Sequence, residues 1–168
     1  MKFAFFSYQK PSQLFIMSKP FVFPYGIALR ESGELNIFPA VEAFFSHKNG
    51  GMISLFMVID SGAYISALPK SDAGPFGVHL ENGAPMSVSG IDGRVLNGWR
   101  HDLQVKIGEE KIMLPVVFLE ESSAPRILGR LGVFDKFTII FEEQKKRSGF
   151  LRSGNPVAKR ISTILDKS

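Results

Sequence analysis

The run Ile53-Ser54-Leu55-Phe56-Met57-Val58-Ile59 ends on a carboxylate, Asp60, passes through Ser61-Gly62-Ala63, and turns apolar again from Ile65 to Pro69. A near-continuous apolar stretch bounded by small turn residues reads as a strand buried on both faces. A carboxylate at the end of such a strand is costly unless it is hydrogen-bonded, paired or protonated. Whatever this chain folds into must therefore bring a partner to Asp60. Ser61, Gly62 and Ala63 supply part of the answer. Their small side chains allow a tight turn whose N–H groups point back at the Asp60 oxygens, and Ser61 adds a hydroxyl able to donate or accept. Read in isolation, Asp60 is an Asx-type turn residue at a strand end.

The rest of the chain is punctuated in the same way. Phe21-Val22-Phe23 and Ile27-Ala28-Leu29 precede the turn signal Glu31-Ser32-Gly33-Glu34, and Leu35 to Phe38 resumes an extended pattern. Val41 to Phe45 is ambiguous between strand and helix, Asn49-Gly50-Gly51 is a turn, and Pro69 to Pro75 reads as a loop. Asp92-Gly93 is a strong hairpin dipeptide, flanked by Met86-Ser87-Val88 and a long alternating stretch to Ile107. Ile112 to Leu119 forms a further strand, which Pro115 marks as edge or irregular. A short strand ending at Gly129, a helical turn through Asp135 and a closing strand from Phe137 to Phe141 follow. After Asn155-Pro156, Val157, Ile161, Ile164 and Leu165 share one face of a short helix. The expected class is all-β, with one or two short helices.

At 168 residues the chain suits one core rather than two. The expected organisation is an N-terminal extension at 1–20, expected to be disordered, a folded domain at 21–143 and a basic tail at 144–168. The formal charge of +4 is concentrated in that tail, through Lys145, Lys146, Arg147, Arg152, Lys159, Arg160 and Lys167, which reads as a solvated segment, so no nucleic-acid partner is expected. With no cysteine, disulfides, thiolate metal sites and cysteine nucleophiles are excluded. "MKFAFFSYQKP" breaks at Gln9-Lys10-Pro11 without a small-residue cleavage site and makes a poor signal peptide. No run approaches the roughly 20 apolar residues of a membrane span. The resulting expectation is a cytoplasmic location. His101 and Asp102 adjoin on a strand and so point to opposite faces. His47 and His79 fall in loops, no metal-ligand spacing such as H-E-x-x-H is present, and no metal or cofactor is expected.

Asp60-Ser61-Gly62-Ala63 after Phe56 to Ile59 resembles the D-[ST]-G-[AS] loop of aspartic proteases. Ser89-Gly90-Ile91-Asp92-Gly93 resembles the flap of the single-lobed, retropepsin-like group, and Ile127-Leu128-Gly129-Arg130 resembles its apolar-apolar-Gly-Arg motif. The resemblance spans about Phe21 to Glu143 and implies a closed β-barrel, the single lobe of an acid protease. It implies catalytic roles for Asp60, Ser61 and Gly62, substrate contacts from Ala63, the 89–93 hairpin and Ile127, and structural support from Leu128, Gly129 and Arg130.

Only one such loop occurs, so the resemblance further implies a homodimer in which a second Asp60 completes the site for cleavage of a polypeptide substrate. Two features depart from the viral pattern. Tyr64 stands where many relatives carry an acidic partner for the motif arginine, leaving Arg130 to find another, for which the Tyr64 phenol is a candidate. Asp92 replaces a flap glycine. These departures suit the alternative reading, a non-proteolytic module that keeps the fold and uses its groove for peptide binding or dimerisation.

Overall fold

The computed structural model describes residues 19–30, 32–90 and 93–167. Among them the chain forms β1 (Phe21–Pro24), β2 (Gly26–Leu29), β3 (Leu35–Phe38), β4 (Ala40–Ser46), β5 (Met52–Ile59) and β6 (Ser66–Pro69). A 3-10 turn at Lys70–Asp72 then runs into a single helical turn, α1 (Ala73–Phe76). There follow β7 (Ala84–Ser89), β8 (Val95–Ile107), β9 (Glu110–Leu119), β10 (Ile127–Leu128), β11 (Phe137–Glu142), β12 (Arg147–Arg152) and α2 (Pro156–Leu165).

Seven strands join in the order β4-β5-β10-β6-β9-β8-β7, and an extra pairing of β4 with β8 closes the sheet into a barrel. The length of β8 makes closure possible. Its first half pairs with β7, from Ser89 opposite Val95 to Ala84 opposite Arg100, while its far end reaches β4 at Val105 and Ile107. The short β10 is wedged parallel to β5, with Ile127 opposite Val58 and Leu128 opposite Ile59. Its other edge is antiparallel to β6, with Ile127 opposite Ala67. β2 and β3 stand apart as a two-stranded hairpin.

Burial along β5 alternates rather than covering both faces as the apolar run suggests. Leu55, Met57 and Ile59 enter the core, whereas Phe56 is 66% exposed. The barrel has one inside, so a strand in its wall buries alternate residues only. The ambiguous Val41 to Phe45 lies in β4 and buries Val41, Ala43 and Phe45 against the same core. Pro115 lies not at an edge but in β9, between β8 and β6. It is tolerated because it pairs with Asp102 of β8 just before the β6 ladder begins at Ser66 opposite Val116. The segment Pro69 to Pro75 is helical turn rather than open loop, and the helical turn expected after Arg130 is a series of tight turns in which Phe134 N–H meets Arg130 O at 2.9 Å.

The basic tail expected from residue 144 onward is corrected most. Arg147–Arg152 is the central strand of a three-stranded sheet, β1-β12-β11. Its alternate residues Ser148 and Phe150 are fully buried, and Phe150 meets Phe23 and Phe137 edge-on at centroid distances of 5.3 and 5.5 Å. Of the positive charges that label the segment as solvated, Arg147 is exposed, whereas Arg152 continues the row of Ser148 and Phe150, its guanidinium 5.2 Å from the Phe21 ring centroid and paired with Glu110 at 2.8 Å, so composition hides the buried row that strand alternation reveals. The terminal helix is present as α2, capped by Asn155, whose side-chain oxygen accepts from Val157 N–H at 2.8 Å. Its apolar face is largely open, however, with Ile164 at 65% and Leu165 at 69% exposure.

Candidate active site

The wedge of β10 between β5 and β6 builds the surroundings of Asp60. Asp60 N–H donates to Leu128 O at 3.0 Å, and the preceding residues are tied on both sides, Ile59 N–H to Pro39 O at 3.0 Å and Val58 N–H to Arg126 O at 2.8 Å. Beyond the turn, Arg130 N–H donates to Ala63 O and Leu131 N–H to Tyr64 O at 3.0 and 2.8 Å. The two loops thus brace each other through main-chain bonds, which hold position regardless of side-chain rotamer.

The Asp60 carboxylate is half-buried. Gly62 N–H donates to its Oδ1 at 2.8 Å, and Ala63 N–H lies 3.3 Å from the same oxygen. A Cβ on Gly62 would sit 3.2 Å from that oxygen, so glycine lets the amide close in. Among the described residues nothing donates to Oδ2, and no cation pairs with Asp60. One oxygen is held and the other is available. Ser61 and Gly62 are exposed at the turn.

Ile127 and the β7–β8 hairpin meet in one apolar cluster. Ile65, Ala67, Val117 and Leu119 are buried there, with Met86, Val88, Leu96 and Ile127 packed against them. This places the inner face of the hairpin over the strand that leaves the Asp60 loop. The hairpin tip closes with Gly90 N–H on Arg94 O at 2.9 Å and Gly93 N–H on Gly90 O at 3.0 Å. Ser89 ends β7; Ile91 and Asp92, both read as substrate-facing, lie outside the described residues.

Leu128 is fully buried, and Gly129 is required where it stands. A Cβ there would come within 2.5 Å of the Ile65 carbonyl carbon and oxygen. Arg130 does not bond to the Tyr64 phenol as its sequence context suggests. Both side chains are exposed and line one cleft without a hydrogen bond between them.

Two supports escaped the sequence reading. Ser66 Oγ, fully buried, accepts Gly129 N–H at 3.0 Å. Asp72 holds Arg126 in a two-pronged pair, Nε to Oδ2 at 2.7 Å and Nη2 to Oδ1 at 2.9 Å, and the hydrogen bonds that Arg126 donates to the Asp72 carboxylate raise its guanidinium above the usual arginine range. The pair fixes the residue that leads into β10. A hydroxyl inside the apolar run Ile65 to Pro69 was the only local hint of the first support; the second joins positions 54 residues apart and has none.

The histidines stand apart from this region. His101 Nε2 lies 3.3 Å from Leu80 O, and its ring meets Phe118 edge-on; His47 Nδ1 accepts Asn49 N–H. Among the described residues no three His, Asp or Glu side chains gather where they could share a cation, and no helix is long and apolar enough to cross a membrane.

No family model matches the chain, and no curated protein matches it. Among solved structures it is similar to the crystal structure of a retropepsin-like aspartic protease from Rickettsia conorii. The TM-score is 0.51 at 19% identity, over 77% of this chain and 97% of that one.

Proposed function

We propose that this chain, whose fold is retropepsin-like, is an aspartic endopeptidase that acts as a homodimer. The observation that carries the reading is the state of Asp60: one oxygen fixed by the Gly62 amide and, among the described residues, no donor to the other and no cation beside it. A half-buried carboxylate so arranged is completed by a second carboxylate. Two such groups at hydrogen-bond distance cannot both be ionised, so they share a proton, and the pair then holds a base and an acid together. The single D-S-G loop of this sequence makes the second Asp60 that of another copy on a two-fold axis.

In this mechanism a water between the carboxylates loses a proton to the ionised Asp60 as its oxygen attacks the scissile carbonyl. The protonated Asp60 hydrogen-bonds the oxygen on which charge develops. Collapse of the tetrahedral intermediate breaks the C–N bond, and the pair delivers a proton to the departing amine. The substrate lies extended between the Asp60 floor and the β7–β8 hairpin, which acts as a flap and adds strand-type hydrogen bonds. Ala63 and Ile127 flank it, and the apolar faces of Met86, Val88 and Leu96 favour apolar side chains near the cleaved bond.

A peptide-library cleavage assay of wild type against Asp60→Asn, run across protein concentration, tests the proposal. Expected are cleavage by wild type, rising more steeply than linearly at low concentration, and none by a folded variant. Equal turnover by the variant would remove Asp60 from the chemistry. The second reading, a peptide-binding module without hydrolysis, is favoured by Tyr64, which is 60% exposed and leaves Arg130 without an acidic neighbour at the loop. It predicts peptide binding to both proteins and cleavage by neither.

A further inference from the structure

We infer that the β2–β3 hairpin is an arm that seats on a second copy of this chain, in the cleft beside Tyr64. The inference rests on the two-copy reading of Asp60. It starts from a hairpin that pairs with no other strand among the described residues. Its register sets Ile27 opposite Ile37 and Leu29 opposite Leu35, so four aliphatic side chains share one face. Their exposures are 67%, 44%, 70% and 68% in the same order. The opposite face is the anchored one. A Cβ on Gly26 would lie 2.8 Å from the Phe38 ring and 3.1 Å from Ala40 Cβ, so the hairpin root is packed on that side. An isolated two-stranded ribbon is marginal in water, and a contiguous aliphatic face marks a contact surface.

The position of the arm identifies its occupant. The hairpin ends at Phe38, and the carbonyl of the next residue, Pro39, accepts Ile59 N–H at 3.0 Å, one residue before Asp60. The arm is therefore rooted on one flank of the Asp60 loop. On the other flank, four residues after Asp60, Tyr64 opens a cleft of about 1180 Å³ with an apolar wall of Met113, Pro115, Leu131 and Phe134 and with charged side chains, Glu110 and Arg130 among them, on the rest of its lining. Tyr64 and Met113 are 60% and 56% exposed there. A two-fold axis that sets two Asp60 loops face to face sets the arm-bearing flank of each copy toward the cleft-bearing flank of the other. An isologous dimer forms that contact twice. One exchange covers the aliphatic face of the hairpin and the apolar wall of the cleft, and adds interface that the short Asp60 loops do not provide.

The absence of cysteine in the native chain makes the test direct. Leu29→Cys and Met113→Cys proteins are mixed and treated with a short bis-maleimide, and a product containing one chain of each is expected. In parallel, sedimentation measures dimerisation of the Leu29→Glu, Leu35→Glu double variant. Both positions are exposed, so it is expected to keep the wild-type fold by circular dichroism while dimerising about thirty-fold more weakly, the scale of a lost hot spot. An undiminished dimer together with no mixed cross-link overturns the arm and leaves the Asp60 pairing standing. A wild-type protein that stays monomeric at every concentration overturns both. A mixed cross-link in a dimer that cleaves no peptide supports the arm and counts against hydrolysis.

Discussion

Ser66 and Gly129 meet through a buried hydrogen bond, the Gly129 N–H donating to Ser66 Oγ at 3.0 Å. The bond joins the strand that leaves the Asp60 turn to the loop that follows β10. Replacing Ser66 with alanine removes the acceptor and leaves a buried N–H without a partner. The expected loss is about 1–3 kcal/mol of folding stability, read as a lowered urea midpoint. Gly129→Ala is expected to cost about 3 kcal/mol, the upper end for overpacking, because the added methyl meets main chain at 2.5 Å rather than a side chain that can turn away. An unchanged midpoint in both variants would contradict this account of the loop.

Gly62→Ala separates position from stability. The methyl would sit 3.2 Å from Asp60 Oδ1, forcing a shift of a few tenths of an ångström at an exposed turn. On the proposed mechanism, peptide turnover should fall by roughly tenfold, since misplacing a catalytic group by a fraction of an ångström is costly, with little change in melting temperature. Wild-type turnover would show that the Gly62 amide does not need its close approach.

The Asp72–Arg126 pair predicts an asymmetry. Asp72 is the more buried partner, its side chain 10% exposed against 43% for Arg126. Asp72→Asn leaves an arginine that can hydrate, and the expected cost is about 2 kcal/mol, under the range for a fully buried pair. Arg126→Leu leaves a buried carboxylate without its cation and is expected to cost more. Urea denaturation of the two single variants and the double variant gives the coupling directly; equal costs would contradict the burial argument.

Truncation after Gln144 should yield no folded protein. It removes β12, and with it Phe150 from the core shared with Phe21, Phe23 and Phe137, together with the buried Leu151. Phe150→Ala alone is expected to cost about 3–5 kcal/mol. Circular dichroism and thermal melting of the 1–144 chain check this. A cooperative melt near that of the full chain would mean that the β1-β12-β11 sheet is dispensable.

Tyr25 sets an alkaline limit. Burial, with the Glu143 carboxylate beside it, raises its phenol above the usual tyrosine range. Above the unfolded value near 10 the unfolded chain has released this proton while the folded chain keeps it. The Tyr25 contribution is therefore full below that pH and declines as pH rises through and beyond it. Tyr25→Phe should flatten the decline, measured as the difference in urea midpoint between the two proteins from about pH 9 to about pH 11. Parallel curves would remove Tyr25 as the cause.

Much of the fold was legible because its signals are local. Short β-branched and aromatic runs, the turns at Gly33 and Gly51, and the Gly90–Arg94 hairpin closure all follow from backbone preferences within a few residues. The errors came where burial depends on distant chain. The Arg147–Arg152 strand has a charged composition and a buried alternate face, and Pro115 sits inside a sheet because β6 happens to begin one residue later.

By itself the sequence determined that Asp60 ends a strand in a small-residue turn, since Ile59 to Ala63 contain every group needed to form it. It also holds a single loop of this type. Only the tertiary structure decided what braces that turn. The Leu128 carbonyl bonds the Asp60 amide, Gly129 is held by the Ser66 hydroxyl and Arg126 by Asp72, so the brace is made by a distant stretch of chain, Arg126 to Gly129, anchored to residues near the turn. Their placement depends on β10 entering between β5 and β6, and that choice is made by packing the whole barrel at once.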